Sequence, residues 1–309
     1  MIDTLRLTAE GAKDLLDRRE VSGAELFAAY LAAIGERDPE LHCYLHVCED
    51  PGGDGIPIAI KDVIGTKGIP TTAGSRILEG YVPVYDSTVV ARCKARDMRI
   101  LGKTNTDEFA MGSSTENSAY GPTHNPWDPT RVPGGSGGGS AAAVSAGLAP
   151  WALGSDTGGS IKQPSALCGN VGLRPTYGTV SRYGIVAFAS SLDQVGPVAR
   201  TVRDCAYLYS IIAGRDPCDT TTVDVPEVVL PEGTDLKGLR VGIPRELNEH
   251  AAIEPGVREA VQRAIELCRE LGAEVGECSL PRSVDFGLPC YYLVAPAEAS
   301  SNLARYDGV

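Results

Sequence analysis

The segment from Asn125 to Ser140, NPWDPTRVPGGSGGGS, has neither helical nor strand periodicity and in isolation reads as a loop or linker. It runs, however, straight into Ser140-Ala141-Ala142-Ala143-Val144-Ser145-Ala146, a small-residue helix fit only for close packing. That helix has to be buried, so the glycine run before it cannot be a tether between domains. A strand, Trp151 to Gly154, follows, and then a second glycine turn, Asp156-Thr157-Gly158-Gly159-Ser160. Two glycine-rich turns thus bracket one buried helix and one strand.

The rest of the chain alternates in the same way. Ile56 to Ile60 is an apolar run suited to a buried strand, and it delivers Lys61 and Asp62 at its end. Ser87 is placed to cap a helix through Asp97, followed by a strand at Arg99 to Gly102 and a short helix near Thr106 to Met111. This pattern predicts an α/β fold with helices on the faces of a sheet. Upstream, residues 8 to about 36 form two amphipathic helices that read as a packing appendage, the second opened by a Ser22/Glu25 capping box. Downstream, Thr201 with Asp204 caps a helix to about Ala213, and Pro217 to Asp235 is a loop. A strand at Leu239 to Ile243, a helix from Pro255 to Leu271 and a strand at Ala273 to Val275 then resume the pattern. The sheet is expected to continue across the loop, making residues 1–309 a single domain.

Composition narrows the function classes. With 43% hydrophobic residues in 309, the chain can bury a sizeable core, and 36 Gly with 21 Pro argue for tight turns over a helical bundle. A formal charge of -12 is the opposite of an autonomous nucleic-acid binder, so any RNA is expected on a partner. Nine cysteines without a C-x-x-C pair suggest neither a disulfide framework nor a zinc site, and fit reduced, buried thiols. The N-terminus is too acidic for a signal peptide, and no apolar run approaches the roughly 20 residues of a membrane span. A cytoplasmic, soluble protein is the expectation.

Lys61 is either a snorkelling surface lysine or, at the rim of a core, a base. An ordinary lysine, with a pKa of about 10.4, is neutral in fewer than about one molecule in a thousand at pH 7, so a basic role requires burial or nearby positive charge. The partner of such a base is a hydroxyl. Two stand in glycine turns, Ser136 and Ser160, and backbone N–H groups of Thr157, Gly158 and Gly159 could form an oxyanion hole beside the latter. Either turn alone is equally readable as an ordinary loop. Other glycine chemistries fit less well: no Lys follows residues 134 to 139 as a P-loop needs, and no strand precedes them as a dinucleotide site or a G-x-S-x-G elbow needs. Of the four histidines, His42, His46 and His250 sit in ordinary helix or strand text, and only His124 is near a glycine turn.

Taken in order, IAIKD, GGSGGGSAAAVSAG and DTGGSIKQPSALCGNVGLRPTYG resemble the amidase signature family, whose triad is a Lys, a Ser in a cis peptide and a nucleophilic Ser. Within it, MGSSTENSAYGPTHNPWDPTRVPGG, RYGIVAFASSLDQVGP and AEASSNLARYDGV are similar to the glutamine-hydrolysing subunits of tRNA-dependent amidotransferases. The resemblance implies a central mixed β-sheet covered by helices on both faces, with Ser160 as nucleophile, Ser136 as the bridging cis-Ser and Lys61 as base. Thr157, Gly158 and Gly159 would supply the oxyanion hole. It also implies that ammonia from glutamine converts Glu-tRNA(Gln) to Gln-tRNA(Gln), or Asp-tRNA(Asn) to Asn-tRNA(Asn). A GatB partner would hold the misacylated tRNA and use ATP and Mg²⁺, and GatC would wrap around both; this chain itself would bind no cofactor or metal.

Gly137 stands where the family commonly has a second Ser, and Lys162 where Arg is more usual. The chain stops at Asp307-Gly308-Val309, inside a recognisable motif, so a C-terminal truncation is expected. The groups gripping the glutamine ammonium and carboxylate would lie beyond it, leaving Met111, Gly112, Ser113 and Tyr291 to line the rest of the pocket. Two alternatives stay open: a stand-alone amidase acting on small amides, and an inactive fragment.

Overall fold

The computed structural model describes residues 2–49, 52–248 and 252–306. Their contacts divide them into two compact units, one formed by residues up to 228 together with those from 297 on, the other by 229–296.

The first unit opens with two capped helices. In α1 (Ala9–Asp17) the Thr8 hydroxyl accepts from the Gly11 N–H, and in α2 (Gly23–Leu41) Ser22 and Glu25 cap each other reciprocally. Helix α2 runs past its expected end to Leu41. There the Asp38 carboxylate accepts the N–H of Cys43 at 2.7 Å and of Tyr44 at 3.2 Å, turning the chain into strand β1 (Tyr44–Val47). Phe27, Tyr30, Ala33 and Ile34 of α2 share one core with Ala141 to Val144.

Next come β2 (Pro57–Lys61), α3 (Thr88–Lys94), β3 (Arg99–Thr104), α4 (Gly138–Ser145) and β4 (Trp151–Asp156). They are followed by α5 (Lys162–Cys168), β5 (Val171–Gly172), β6 (Gln194–Ala199) and α6 (Val202–Ile212). The six strands form one mixed sheet in the order β1-β3-β2-β4-β6-β5, with β2 parallel to both β3 and β4 and the other pairs antiparallel. Every residue of β2, β4 and β6 is buried, so both faces of the sheet are covered, as a continuous apolar strand requires.

Further features depart from the expectations. The helix expected near Thr106 to Met111 is only a 3-10 turn, Glu108–Ala110, because Phe109 and Ala110 adopt positive φ (50° and 61°). The Asp107 carboxylate draws this turn together by accepting the N–H groups of Thr115 at 2.9 Å and Asn117 at 3.1 Å. Strand β6, QVGPVA, is an addition to the expected elements, since Gly196 and Pro197 read as breakers; Pro197 is accommodated where the short β5 ends, pairing only opposite Ala199 and Val198. Among the described residues, the strands after the 217–235 loop do not join the six-stranded sheet.

In the second unit, β7 (Arg240–Pro244) pairs in parallel with β8 (Glu274–Cys278) as a separate two-stranded sheet. Helix α7 (Arg245–Asn248) follows β7, and α8 (Pro255–Glu270), with Pro at its start, connects to β8. Helix α9 (Pro281–Leu303) has Pro289 and Pro296 in its interior. The part of α9 that belongs to the first unit fastens the loop before β6: Glu298 accepts the Ser191 N–H at 2.9 Å, and Asn302 donates to the Phe188 carbonyl at 3.1 Å. Among the described residues no helix is long and apolar enough to cross a membrane.

Candidate active site

Strands β2 and β4 are parallel neighbours, with Ala59 opposite Ala152 and Ile60 opposite Leu153. Their carboxyl ends therefore open at one edge of the sheet, where polar residues can follow buried ones. Lys61 ends β2, and Asp156 ends β4 just before the turn that carries Ser160. The glycine run is as buried as the helix it precedes: every residue from Pro133 to Val144 lies inside. A Cβ at Gly135 would collide with an Asp107 carboxylate oxygen, and one at Gly139 would sit 2.5 Å from the Asn105 backbone nitrogen. Close backbone approach explains these glycines. The Gly135–Ser136 peptide is cis, and the Gly137 N–H donates to the Ser160 carbonyl at 3.2 Å, joining the two glycine turns.

The Lys61 ammonium is fully buried and donates to Ser136 Oγ at 2.7 Å, to Ser155 Oγ at 3.0 Å and to the Ser155 carbonyl at 3.3 Å. Burial lowers its pKa to about 8, against the opposing pull of Asp107, Asp156 and Asp193. Among the described residues no carboxylate is hydrogen-bonded to it. A lysine so placed is neutral in roughly a tenth of molecules at pH 7 and can take a proton from a hydroxyl.

The three aspartates shape the backbone around it. Asp107 gathers the 115–117 segment, as described above. Asp156 accepts the N–H groups of Ile161 at 2.9 Å and Lys162 at 3.3 Å, and its carboxylate is paired with Lys162 at 2.9 Å and Arg174 at 3.1 Å. This closes the 157–160 turn onto the start of α5 and presents Ser160, which is buried apart from 7% of its surface. Asp193 accepts the Thr157 hydroxyl at 2.6 Å and the N–H of Phe188 at 2.9 Å; burial raises its pKa. Gly159 has φ 142°, a conformation that favours glycine, with Gly158 beside it on the exposed side of the turn.

Lys61, Ser136 and the Ser160 turn are thus brought together, with Thr157, Gly158 and Gly159 leading into Ser160. Met111 lines a cavity of about 370 Å³ with Ile77, Glu108, Phe109, Asn117, Leu303 and Tyr306, Phe109 and Tyr306 being stacked at 5.4 Å. Gly112 packs against the Asp107 carboxyl, and the Ser113 carbonyl accepts from the Gln163 side chain at 2.9 Å. Tyr291 lies on α9 in the second unit, edge-on to Tyr292 with centroids 5.5 Å apart. The His124 ring bonds the Pro129 carbonyl at 2.9 Å; His250 lies outside the described residues. All nine cysteines are free; Cys43, Cys48, Cys93, Cys168 and Cys205 are buried, and burial raises their pKa. Among the described residues, no group of His, Cys, Asp or Glu is arranged to hold a metal ion.

Four neighbours of the site carry no signal in the sequence. Ser155 is an ordinary residue of a strand, and nothing in that strand's own letters announces that its hydroxyl meets Lys61 across the sheet. Asp107 and Gln163 act through bonds to backbone distant along the chain. Lys103, the fourth, is also fully buried, donates to the Ile64 carbonyl at 2.8 Å and Thr71 Oγ1 at 2.7 Å, and is paired with Asp62 at 3.5 Å. Its pKa falls to about 8 through burial, but its bonds are spent on the loop after β2.

A family profile described as Amidase matches residues 49–309. The A subunit of glutamyl-tRNA(Gln) amidotransferase from Roseiflexus castenholzii is 55% identical over 100% of this chain and 67% of its own length. The protein of the same name from Acidothermus cellulolyticus is 52% identical, over 100% of this chain and 65% of its length. The crystal structure of the corresponding glutamyl-tRNA(Gln) amidotransferase protein from Thermotoga maritima superposes with a TM-score of 0.92 at 50% identity, over 98% of this chain and 67% of that one. Native peptide amidase from Stenotrophomonas maltophilia superposes with a TM-score of 0.84 at 29% identity, over 99% and 69%. The chain therefore spans about two thirds of the length of the curated relatives it matches.

Proposed function

The chain belongs to the amidase family, and from that membership we propose that it is the glutamine-hydrolysing subunit of a tRNA-dependent amidotransferase. One observation carries the chemical part of the reading: a buried lysine, with its pKa lowered to about 8, lies 2.7 Å from the hydroxyl of Ser136.

In this mechanism neutral Lys61 takes the Ser136 proton while Ser136 takes that of Ser160. The Ser160 oxygen attacks the side-chain carbonyl carbon of glutamine, and backbone N–H groups of Thr157, Gly158 and Gly159 stabilise the oxyanion. The proton returns through Ser136 to the departing nitrogen, the C–N bond breaks and ammonia leaves. Water, deprotonated along the same relay, cleaves the glutamyl ester and restores Ser160. A second hydroxyl between base and nucleophile lets the lysine stay buried while Ser160 faces the substrate.

The names carried by its relatives support a role in amidating Glu-tRNA(Gln). In the wider reading ammonia is passed on to that acceptor, or to Asp-tRNA(Asn), in the cytoplasm. GatB would hold the tRNA and use ATP and Mg²⁺, with GatC completing a heterotrimer. The charge of -12 agrees with RNA being held elsewhere. The test is ammonia release from glutamine by the protein alone and with GatB, GatC, ATP, Mg²⁺ and misacylated tRNA. Turnover rising with the partners is the expected result. Strong turnover of small amides by the chain alone, with no rise on adding them, would replace this reading by a stand-alone amidase.

A further inference from the structure

Gln163 joins three segments of the site through one residue. Its side-chain oxygen accepts the Gly135 N–H at 2.9 Å, in the residue just before Ser136. Its side-chain nitrogen donates to the Ser113 carbonyl at 2.9 Å, two residues from the Met111 that lines the cavity. Its own N–H donates to the Gly159 carbonyl at 2.8 Å, in the Ser160 turn.

A carboxamide is suited to this because it offers an acceptor and a donor at opposite corners of one planar group. Gly135 has an N–H to give and Ser113 a carbonyl, so a carboxylate or an ammonium would satisfy one side and oppose the other. The side chain is exposed, and its position imposes no packing demand that would force the choice of glutamine. Thr115 adds a second tie on the inner side, its hydroxyl donating to the Gly134 carbonyl at 2.9 Å, so the Gly134–Ser136 segment is gripped from both flanks.

We propose that Gln163 is a positioning residue that sets the alignment of Ser136 through Gly135 and the placement of the Met111–Ser113 wall through Ser113. The inference rests on the proposed amide hydrolysis at Ser160 and assigns two separable contributions to one side chain.

The two arms can be separated by substitution. Gln163→Glu keeps an acceptor for Gly135 but has no donor for Ser113, whereas Gln163→Leu loses both. Each is compared with wild type for kcat and KM in glutamine hydrolysis by the assembled complex, for melting temperature, and for the rate of fluorophosphonate labelling of Ser160, which needs no amide substrate. Gln163→Leu is expected to slow labelling and kcat by about tenfold, the scale of a lost hydrogen bond, with an unchanged melting temperature. Gln163→Glu is expected to keep the labelling rate and kcat within about threefold of wild type while KM rises by about tenfold. Labelling, kcat and KM all within about twofold of wild type in Gln163→Leu would overturn the proposal, as would identical kcat and KM changes in the two variants. Labelling that follows the expected order in a protein that hydrolyses no glutamine would support the role of Gln163 and refute the substrate.

Discussion

The Lys61 ammonium lies 2.7 Å from Ser136 Oγ, and Ser155 supplies two further acceptors, its hydroxyl and its carbonyl, from the neighbouring strand. These hydrogen-bond partners of the buried cation are all neutral oxygens. Coulombic attraction from Asp107, Asp156 and Asp193 reaches it without a direct bond, and desolvation outweighs that attraction. The result is a lysine that is satisfied as a donor yet able to lose a proton near neutral pH.

If Ser160 is the nucleophile, Ser160→Ala lowers amide hydrolysis by about 10³-fold or more. Ammonia release under saturating substrate is the measurement. Near-normal rates would reject the assignment.

If the base is the neutral form of Lys61, hydrolysis should rise with pH and level off above about 8. The same shift has a stability consequence. The folded pKa of about 8 lies below the ordinary 10.5, so between these values the unfolded chain binds more protons and stability gained from Lys61 increases with pH. The penalty for burying the ammonium is complete below pH 8 and gone above 10.5. Chemical unfolding of wild type and Lys61→Met across this window should show the difference moving in favour of wild type by about 3 kcal/mol. A constant difference would show that Lys61 titrates as an ordinary lysine.

Asp156→Asn should lose the charge that holds Lys162 and Arg174 while keeping one acceptor for the Ile161 N–H. Lys162 is half exposed, which limits its share, and we expect a loss of about 2 kcal/mol in urea unfolding with at least a roughly tenfold fall in hydrolysis. Unchanged hydrolysis in a destabilised variant would show that the Ser160 turn does not depend on this carboxylate.

Asp62 accepts the N–H groups of Thr72 and Gly74 besides pairing with Lys103, and both charged groups are buried. Asp62→Ala leaves an uncompensated buried ammonium and should cost about 3–5 kcal/mol. Adding Lys103→Met should restore part of that loss, read as a coupling in a double-mutant cycle. Additive effects would mean that Asp62 acts only through the 72–74 backbone.

Much of this site is legible in the letters because its demands are local. The small residues 140–146 can pack only as a buried helix, and Ile56 to Ile60 can deliver Lys61 only at the end of an interior strand. Ser22 and Glu25 mark a helix start through bonds to their own neighbours. Strand β6 is hidden for the opposite reason: Gly196 and Pro197 disfavour a strand on their own, and its pairing with β4 overrides them. The turn after Asp107 likewise reads as a helix, since no local signal announces the bonds from Thr115 and Asn117 that draw it tight and leave Phe109 at positive φ.

The letters offer Lys61, Ser136 and Ser160 as candidates, at the end of an apolar run or in a glycine turn, and the family resemblance rather than periodicity is what assigns them roles. Periodicity and side-chain volume act over a few residues, so they can be read along the chain. That Lys61 is fully desolvated, that Ser155 shares it with Ser136, and that Gln163 ties Gly135 to Ser113 are properties of the folded molecule. Desolvation and hydrogen bonding across segments depend on what the fold brings together, and the proton affinity of Lys61 depends on both.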